Sequence, residues 1–339
     1  MRAIVLPKYG GPEVLRVETR DPPPCGPAEV RVRIHAAGLN FAEVMARKGL
    51  YPDAPKPPCV LGYEGAGVVE AVGNAVGSVR AGQRVLVMTR FGGHAEVVTA
   101  PESQVLPMPE AMSFEEGAAL PVNYLTAYHM LYRVACVRPG ERVLVHGAAG
   151  GVGVAVLQLC KAIGGVEVFG TASPAKHAFL RELGCAHPID YRSADYAEEV
   201  RRITGGAGVD VVLDPLGGDD WRKGYALLRP AGRLVAYGFS NMASGERRNV
   251  LRVAWQATRV PIFTPLGLMD ANRSVAGVNV GHLWNETELL RGKLTAPPEL
   301  YTQGAIKPHV GETFAFDRAA DAHRALESRR TVGKVLLVP

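Results

Sequence analysis

The stretch Arg142-Val-Leu-Val-His146-Gly147-Ala148-Ala149-Gly150-Gly151-Val152-Gly153-Val154-Ala-Val-Leu-Gln-Leu-Cys160 decides the reading of this chain. A short apolar run ends in small residues, and apolar positions at helical spacing follow at once. The pattern predicts a strand, a tight turn and a helix start, the context in which a glycine-rich loop holds a dinucleotide. The frame Ala148-x-Gly150-x-x-Gly153 departs from Gly-x-Gly-x-x-Gly by its first residue. An alanine fits the turn there provided its φ is negative. Gly150 falls where a β-carbon would collide with a diphosphate, and Gly153 where the helix presses on the strand. The N–H groups of Ala149, Gly150, Gly151 and Val152, with the positive end of the helix dipole, would then hold the negative charge. The competing reading is a tight connection that binds nothing.

The next apolar run, Val166–Thr171, leads into Ala172-Ser173-Pro174-Ala-Lys176. In a dinucleotide fold the second strand tip meets the adenosine ribose about twenty residues past the glycines. An NAD site places a carboxylate there. This chain has Ser173 with Lys176 close by, and no Asp or Glu between Thr171 and Lys176. A hydroxyl and an ammonium suit a 2′-phosphate, which a carboxylate would repel. The expected cofactor is therefore NADPH, against the plain alternative of a solvated helix lysine.

The rest of the chain is consistent with a two-domain soluble protein. It has 339 residues, 47% hydrophobic and 21% charged, enough for two domains of ordinary size. No apolar run reaches the roughly 18 residues that a membrane span needs. The start, Met1–Pro7, is too short and strand-like for a signal peptide. Cys25, Cys59, Cys136, Cys160 and Cys185 lie far apart, which argues for reduced thiols in a cytoplasm and against a zinc cluster. The net charge of +5 comes from single residues and pairs such as Arg247-Arg248. No basic block suggests a nucleic-acid partner.

Residues 1 to about 122 read as short strands broken by Gly10-Gly11-Pro12 and Pro22–Pro27, with a short helix at Phe41–Lys48. That is a compact, barrel-like β domain. From Asn123 the rhythm changes to a long helix (123–134) and then alternating strands and helices, ending in a sixth strand at 274–280. Such alternation makes an α/β, doubly wound parallel sheet, the Rossmann arrangement. The mixed tail, 281–339, is expected to fold back on the first domain. The expected organisation is thus 1–122, 123–280 and 281–339, with the dinucleotide domain inserted in a split catalytic domain.

Several motifs together resemble the medium-chain dehydrogenase/reductase superfamily in its zinc-free quinone oxidoreductase branch. They are Ala37-Gly-Leu-Asn40-Phe, Gly49-Leu-Tyr51, Gly62-Tyr63-Glu64-Gly-Ala-Gly67, the glycine loop, Asp214-Pro-Leu-Gly-Gly218 and Val332–Val338. Phe169–Ser173, Ala186–Tyr191 and Ile306–His309 make the chain look most like the vesicle amine transport protein-like group. The resemblance implies a chaperonin-10-like, mainly β catalytic domain, NADPH, and homodimers joined through the sixth strand. By position it implies that Ser173, Lys176, Tyr191 and Arg329 face the 2′-phosphate. Asn40 and Tyr51 would line the nicotinamide end, and Thr126 would lie near the nicotinamide ribose. Zinc-dependent relatives have Gly-His-Glu where this chain has Gly62-Tyr63-Glu64, and a cysteine or aspartate where it has Asn40. The expectation is a metal-free site. A pocket tyrosine common in quinone reductases is Met45 here, which makes the pocket more apolar.

Without a Lewis acid, the hydride acceptor must carry its own electron deficiency. Quinones and α,β-unsaturated carbonyls do so, because the hydride leaves a delocalised phenolate or enolate. One or two donors for that oxyanion then suffice. Asn40, Tyr51 and Tyr63 are the candidate catalytic residues, against the alternative that the tyrosines are core or rim aromatics. His94, His129 and His146 read as structural. Two further readings are a biosynthetic enoyl or alkenal reductase, and an NADPH-binding scaffold with little turnover.

Overall fold

A computed structural model describes residues 1–243, 245, 248–284 and 286–339, without the side chains of 287–294. Arg247 of the basic pair lies outside the described residues. The chain forms two compact units. One comprises Thr126–Ser244 and Asn249–Val280. The other comprises Met1–Leu125, Gly245–Arg248 and Gly281–Pro339.

The first unit is built on six strands: β1 (Arg142–Val145), β2 (Glu167–Ala172), β3 (His187–Asp190), β4 (Val209–Asp214), β5 (Leu228–Ala236) and β6 (Ser274–Gly277). They pair in the order 3-2-1-4-5-6, all parallel. Val143, Leu144 and Val145 are fully buried, as a strand covered on both faces must be. The helix Gly151–Ile163 follows β1 and buries Gly153 through Cys160. Because the strand order reverses beside β1, the loops after β1 and β4 flank the switch point, where such sheets hold ligands.

Two local features differ from expectation. The sixth strand stops at Gly277, and a 3-10 turn takes Val280–His282. Its partner β5 ends at Ala236, and the N–H of Val278 makes the last rung to Ala236 O at 2.8 Å. The helix expected over 123–134 is α-helical only at Pro121–Tyr128 and continues as a π-helix over His129–Val134. The wider turn stacks Tyr128 on Tyr132 with ring centroids 4.4 Å apart. Between β5 and β6 lie two helices, Val250–Thr258 and Pro265–Ala271, whose Leu251, Leu266 and Met269 are exposed.

The second unit is mainly β. Strands Glu29–Leu39, Glu64–Val72 and Arg84–Met88 pair antiparallel. The C-terminal strand Lys334–Val338 joins the same sheet, placing Leu336 opposite Gly38. The unit is therefore closed by the two ends of the chain. Alternate residues of Glu29–Leu39, including Val30, Val32 and Ile34, enter the core, as the two-residue period of a strand dictates. A smaller sheet pairs Arg2–Leu6 with Arg16–Thr19 and Cys59–Val60.

Candidate active site

At the end of β1 the left-handed residue is Gly147, with φ of 64°. Ala148 needs no such conformation, which is why alanine serves there. The turn is pinned from β2, whose Thr171 accepts the Gly147 N–H at Oγ1 (3.2 Å) and the Ala148 N–H at its carbonyl (3.1 Å). The helix begins at Gly151 with Gly150 as N-cap and no side-chain cap. Its first-turn N–H groups therefore lack intrahelical partners. A β-carbon added at Gly150 would meet only Gly147 O, at 3.3 Å, whereas one at Gly153 would strike Ala148 O at 2.4 Å. Gly153 thus lets the helix press on the loop. Gly150 keeps a backbone surface bare enough for an anion to approach closely. Ala149 is buried, and Gly151 and Val152 are partly exposed.

Ser173 follows the end of β2 and caps a short 3-10 turn, Pro174–Lys176. Ala172 pairs with Asp190, so Ser173 and Tyr191 continue from neighbouring strand ends. The ammonium of Lys176 is pushed below its usual value by burial and by the Arg192 guanidinium. Arg192 lies over the Tyr191 ring at 6.0 Å. Two cations that destabilise each other mark a place an anion would stabilise. Arg192 was not singled out in the sequence because it comes from the end of the third strand. Thr126 is buried on the helix Pro121–Tyr128. Arg329 belongs to the other unit, exposed and at φ of 57°.

In the β unit, Asn40 ends a core strand and precedes the helix Phe41–Arg47. Its backbone N–H donates to Glu43 Oε2 at 2.9 Å. Its side-chain amide donates to Glu64 Oε1 at 3.0 Å and, more loosely, to Glu43 Oε1 at 3.4 Å. Its Oδ1 accepts from Lys334 Nζ at 2.6 Å. Lys334 also pairs with Glu64, and both are buried. Glu64 Oε2 accepts the Val122 N–H at 2.7 Å. Gly38 makes room for this pair, since a β-carbon there would lie 2.6 Å from both Glu64 Oε1 and Lys334 Cε. Both amide hydrogens of Asn40, the expected oxyanion donor, are thus directed at carboxylates.

The tyrosines do come together. Tyr51 and Tyr63 meet edge to face at 6.5 Å, and Phe91 packs on Tyr63 at 4.9 Å. Phe91 sits at φ of 140°, a conformation that side chains rarely adopt and that clusters at functional sites. The Tyr63 hydroxyl is buried and makes no hydrogen bond of good geometry among the described residues, with the Tyr51 hydroxyl as an interacting neighbour. Burial, then the nearby Glu43, raises its pKa, so it keeps its proton.

His94 is buried and its Nε2 donates to Gly38 O at 3.1 Å. Burial pushes its pKa down to about 4. Burial pushes Glu43 up to about 8, against the pull of Lys334. From its ordinary value of 4.5 up to about 8, Glu43 holds in the folded chain a proton that the unfolded chain has released. Stability therefore falls as pH rises through that window. His94 acts oppositely between about 4 and 6.5, where only the unfolded chain binds the proton. Above pH 6.5 the His94 contribution is spent and the Glu43 contribution is unopposed by it. The expected loss from this group between pH 6.5 and 8 is about 2 kcal/mol, at roughly 1.4 kcal/mol per pH unit. Urea unfolding at both pH values should show Glu43→Gln losing that much less than the wild type. Equal losses would contradict the assignment.

The split β unit, the inserted doubly wound sheet and the glycine loop define an architecture, and the comparisons agree with it. Residues 26–110 match the alcohol dehydrogenase GroES-like domain, and residues 183–337 match the zinc-binding dehydrogenase family. The chain belongs to the medium-chain dehydrogenase/reductase superfamily. It is 48% identical to the mouse synaptic vesicle membrane protein VAT-1 homolog, over all of this chain and 84% of that protein. It is 36% identical to a quinone oxidoreductase of Pseudomonas aeruginosa, over 100% and 99% of the two chains. The Escherichia coli quinone oxidoreductase, solved as a complex with NADPH, superposes with a TM-score of 0.88 at 32% identity, covering both chains completely.

Proposed function

We propose that this protein is an NADPH-dependent oxidoreductase that reduces a quinone or an α,β-unsaturated carbonyl without a metal ion. The observation that carries the reading is the pair of anion sites in the dinucleotide unit. The uncapped helix start at Gly150–Val152 suits the diphosphate, and Ser173, Lys176, Tyr191 and Arg192 suit the 2′-phosphate. NADPH, when bound, supplies the hydride. The likeness to quinone oxidoreductases supports the substrate class. Among the described residues no group of three or more His, Cys, Asp or Glu is placed to hold a metal.

The chain's own residues have distinct tasks in this reading. Tyr51, Tyr63 and Phe91 offer an apolar aromatic wall for a flat acceptor. The Tyr63 hydroxyl, which keeps its proton and has only Tyr51 as a polar side-chain neighbour in hydrogen-bond reach among the described residues, donates a hydrogen bond to the phenolate or enolate oxygen. Water delivers the final proton. Asn40, locked by Lys334, Glu64 and Glu43, fixes the start of its helix. Thr126 lines the nicotinamide ribose. We also propose that β6, at the edge of its sheet, joins a second copy, and that the protein works in the cytoplasm. All five cysteines are free thiols, and no described helix is long and apolar enough to cross a membrane. The likeness to vesicle membrane proteins favours a second reading, an NADPH-binding scaffold with little turnover.

Cofactor preference tests the carrying observation. At equal concentration NADPH should raise Tm by several degrees more than NADH, since binding stabilises by RT ln(1 + [L]/Kd). The double variant Ser173→Asp, Lys176→Ala should cancel or reverse that difference. Equal shifts with the wild type would sink the assignment of the 2′-phosphate site.

A further inference from the structure

Two buried polar groups lie on either side of the switch point, and neither has been given a task. His146 ends β1 and Asp214 ends β4; they are 1% and 0% exposed. The strands are adjacent, with Val145 opposite Leu213 and the His146 N–H on Leu213 O at 3.2 Å. Each side chain is half used. His146 Nδ1 lies 3.2 Å from Thr171 Oγ1. Asp214 Oδ1 accepts the N–H groups of Leu216 (2.5 Å) and Gly217 (3.1 Å). The other halves, His146 Nε2 and Asp214 Oδ2, are buried and have no partner among the described residues.

The protons can be assigned. Thr171 Oγ1 already accepts the Gly147 N–H, so its own hydrogen is free to be donated to His146 Nδ1. With that tautomer the ring proton sits on Nε2, an orphan donor on the strand next to the orphan acceptor Asp214 Oδ2. Two such groups in a buried site are costly apart and favourable together. Burial raises the Asp214 carboxyl, and the strongest influence opposing that rise is His146, which places the two within electrostatic reach.

We propose that His146 and Asp214 are positioning residues, joined through one bridging water that accepts from Nε2–H and donates to Oδ2. This bridge ties the glycine loop to the Pro215–Gly218 loop. The resulting line runs from the Gly147 N–H through Thr171, His146 and Asp214 to the N–H groups of Leu216 and Gly217. It spans the ends of β2, β1 and β4, all of which face the dinucleotide in the function proposed above, and the inference rests on that reading. The pair makes the loops around the cofactor a single preorganised unit, so its loss weakens cofactor binding more than turnover.

The test is a double-mutant cycle on NADPH affinity. His146→Asn keeps a polar group for Thr171 and removes the reach to Asp214. Asp214→Asn keeps the acceptor for Leu216 and Gly217. Each variant should weaken NADPH binding by about tenfold, and the double variant by little more than either single one. KM for NADPH should rise more than kcat falls, with KM for the quinone unchanged. A wild type that binds NADPH while the single variants bind equally well, or while their effects add, would overturn the proposal. A wild type that fails to bind NADPH would instead remove the functional reading. Nitrogen-15 histidine NMR of the unaltered protein then decides the pair alone, and does so too if a variant fails to fold. It should show a solvent-protected ring Nε2–H, assigned to His146 by its contact with the Tyr196 ring 4.5 Å away. A ring proton in rapid exchange would refute the bridge.

Discussion

Lys334→Met should destabilise the β unit by about 3–5 kcal/mol, the usual cost of removing one partner of a buried ion pair. Lys334 is 2% exposed and Glu64 is completely buried. Without the ammonium, the Glu64 carboxylate stays in the interior, with Glu43 close by and only the Val122 and Asn40 N–H groups for compensation. The expected fall in Tm is on the order of 10 °C. Neutralising the other partner as well, in Lys334→Met with Glu64→Gln, should recover most of the loss, because it removes both charges. Denaturant unfolding of Lys334→Met, Glu64→Gln and the double variant checks this. A single variant costing under about 1 kcal/mol, or a double variant as unstable as the sum, would contradict the buried network.

Gly153→Val should abolish useful NADPH binding, with affinity falling on the order of a hundredfold because the anion-binding N–H groups are displaced together. The new β-carbon would lie 2.4 Å from Ala148 O and 2.5 Å from Gly147 O. Both are backbone atoms and cannot swing aside, so the helix must retreat from the loop. Tm should fall as well. Gly150→Ala separates the two effects. Its β-carbon would touch only Gly147 O at 3.3 Å, so the fold should hold while the anion is kept away. Calorimetric binding alongside thermal melts distinguishes them. If Gly150→Ala bound NADPH like the wild type, the loop would not be the diphosphate site.

Local chemistry made the dinucleotide unit legible before any coordinates. Apolar runs and glycine spacing within about twenty residues determine β1, the turn and its helix, and the count to Ser173 rests on the same short stretch. What stayed hidden depends on partners distant in sequence. Arg192 reaches Lys176 because β2 and β3 lie side by side. Lys334 meets Asn40 across 294 residues, and nothing local to Val332–Val338 distinguishes that lysine from a solvated one. Glu43 reads as an ordinary helix-start acid, and only its complete burial changes its chemistry. Phe91 joins Tyr63 through a backbone conformation that a phenylalanine does not advertise. Family resemblance brings Tyr51 and Tyr63 forward as candidates, whereas the commitment of the Asn40 amide to two carboxylates is visible only in the fold. The valines of 274–280 predict a longer sixth strand than the structure has, because its end is set by the length of β5.

In the proposed function this chain binds NADPH on the glycine loop and passes its hydride to an electrophile without a metal. Single-turnover oxidation of NADPH, deuterated at the transferring position, tests it most directly when a simple quinone is mixed with chelator-treated protein. The account predicts rapid loss of nicotinamide absorbance with a primary isotope effect, and deuterium on the reduced product. Tight NADPH binding with no oxidation across a set of quinones and enals, or oxidation that returns only when zinc is added, would contradict it.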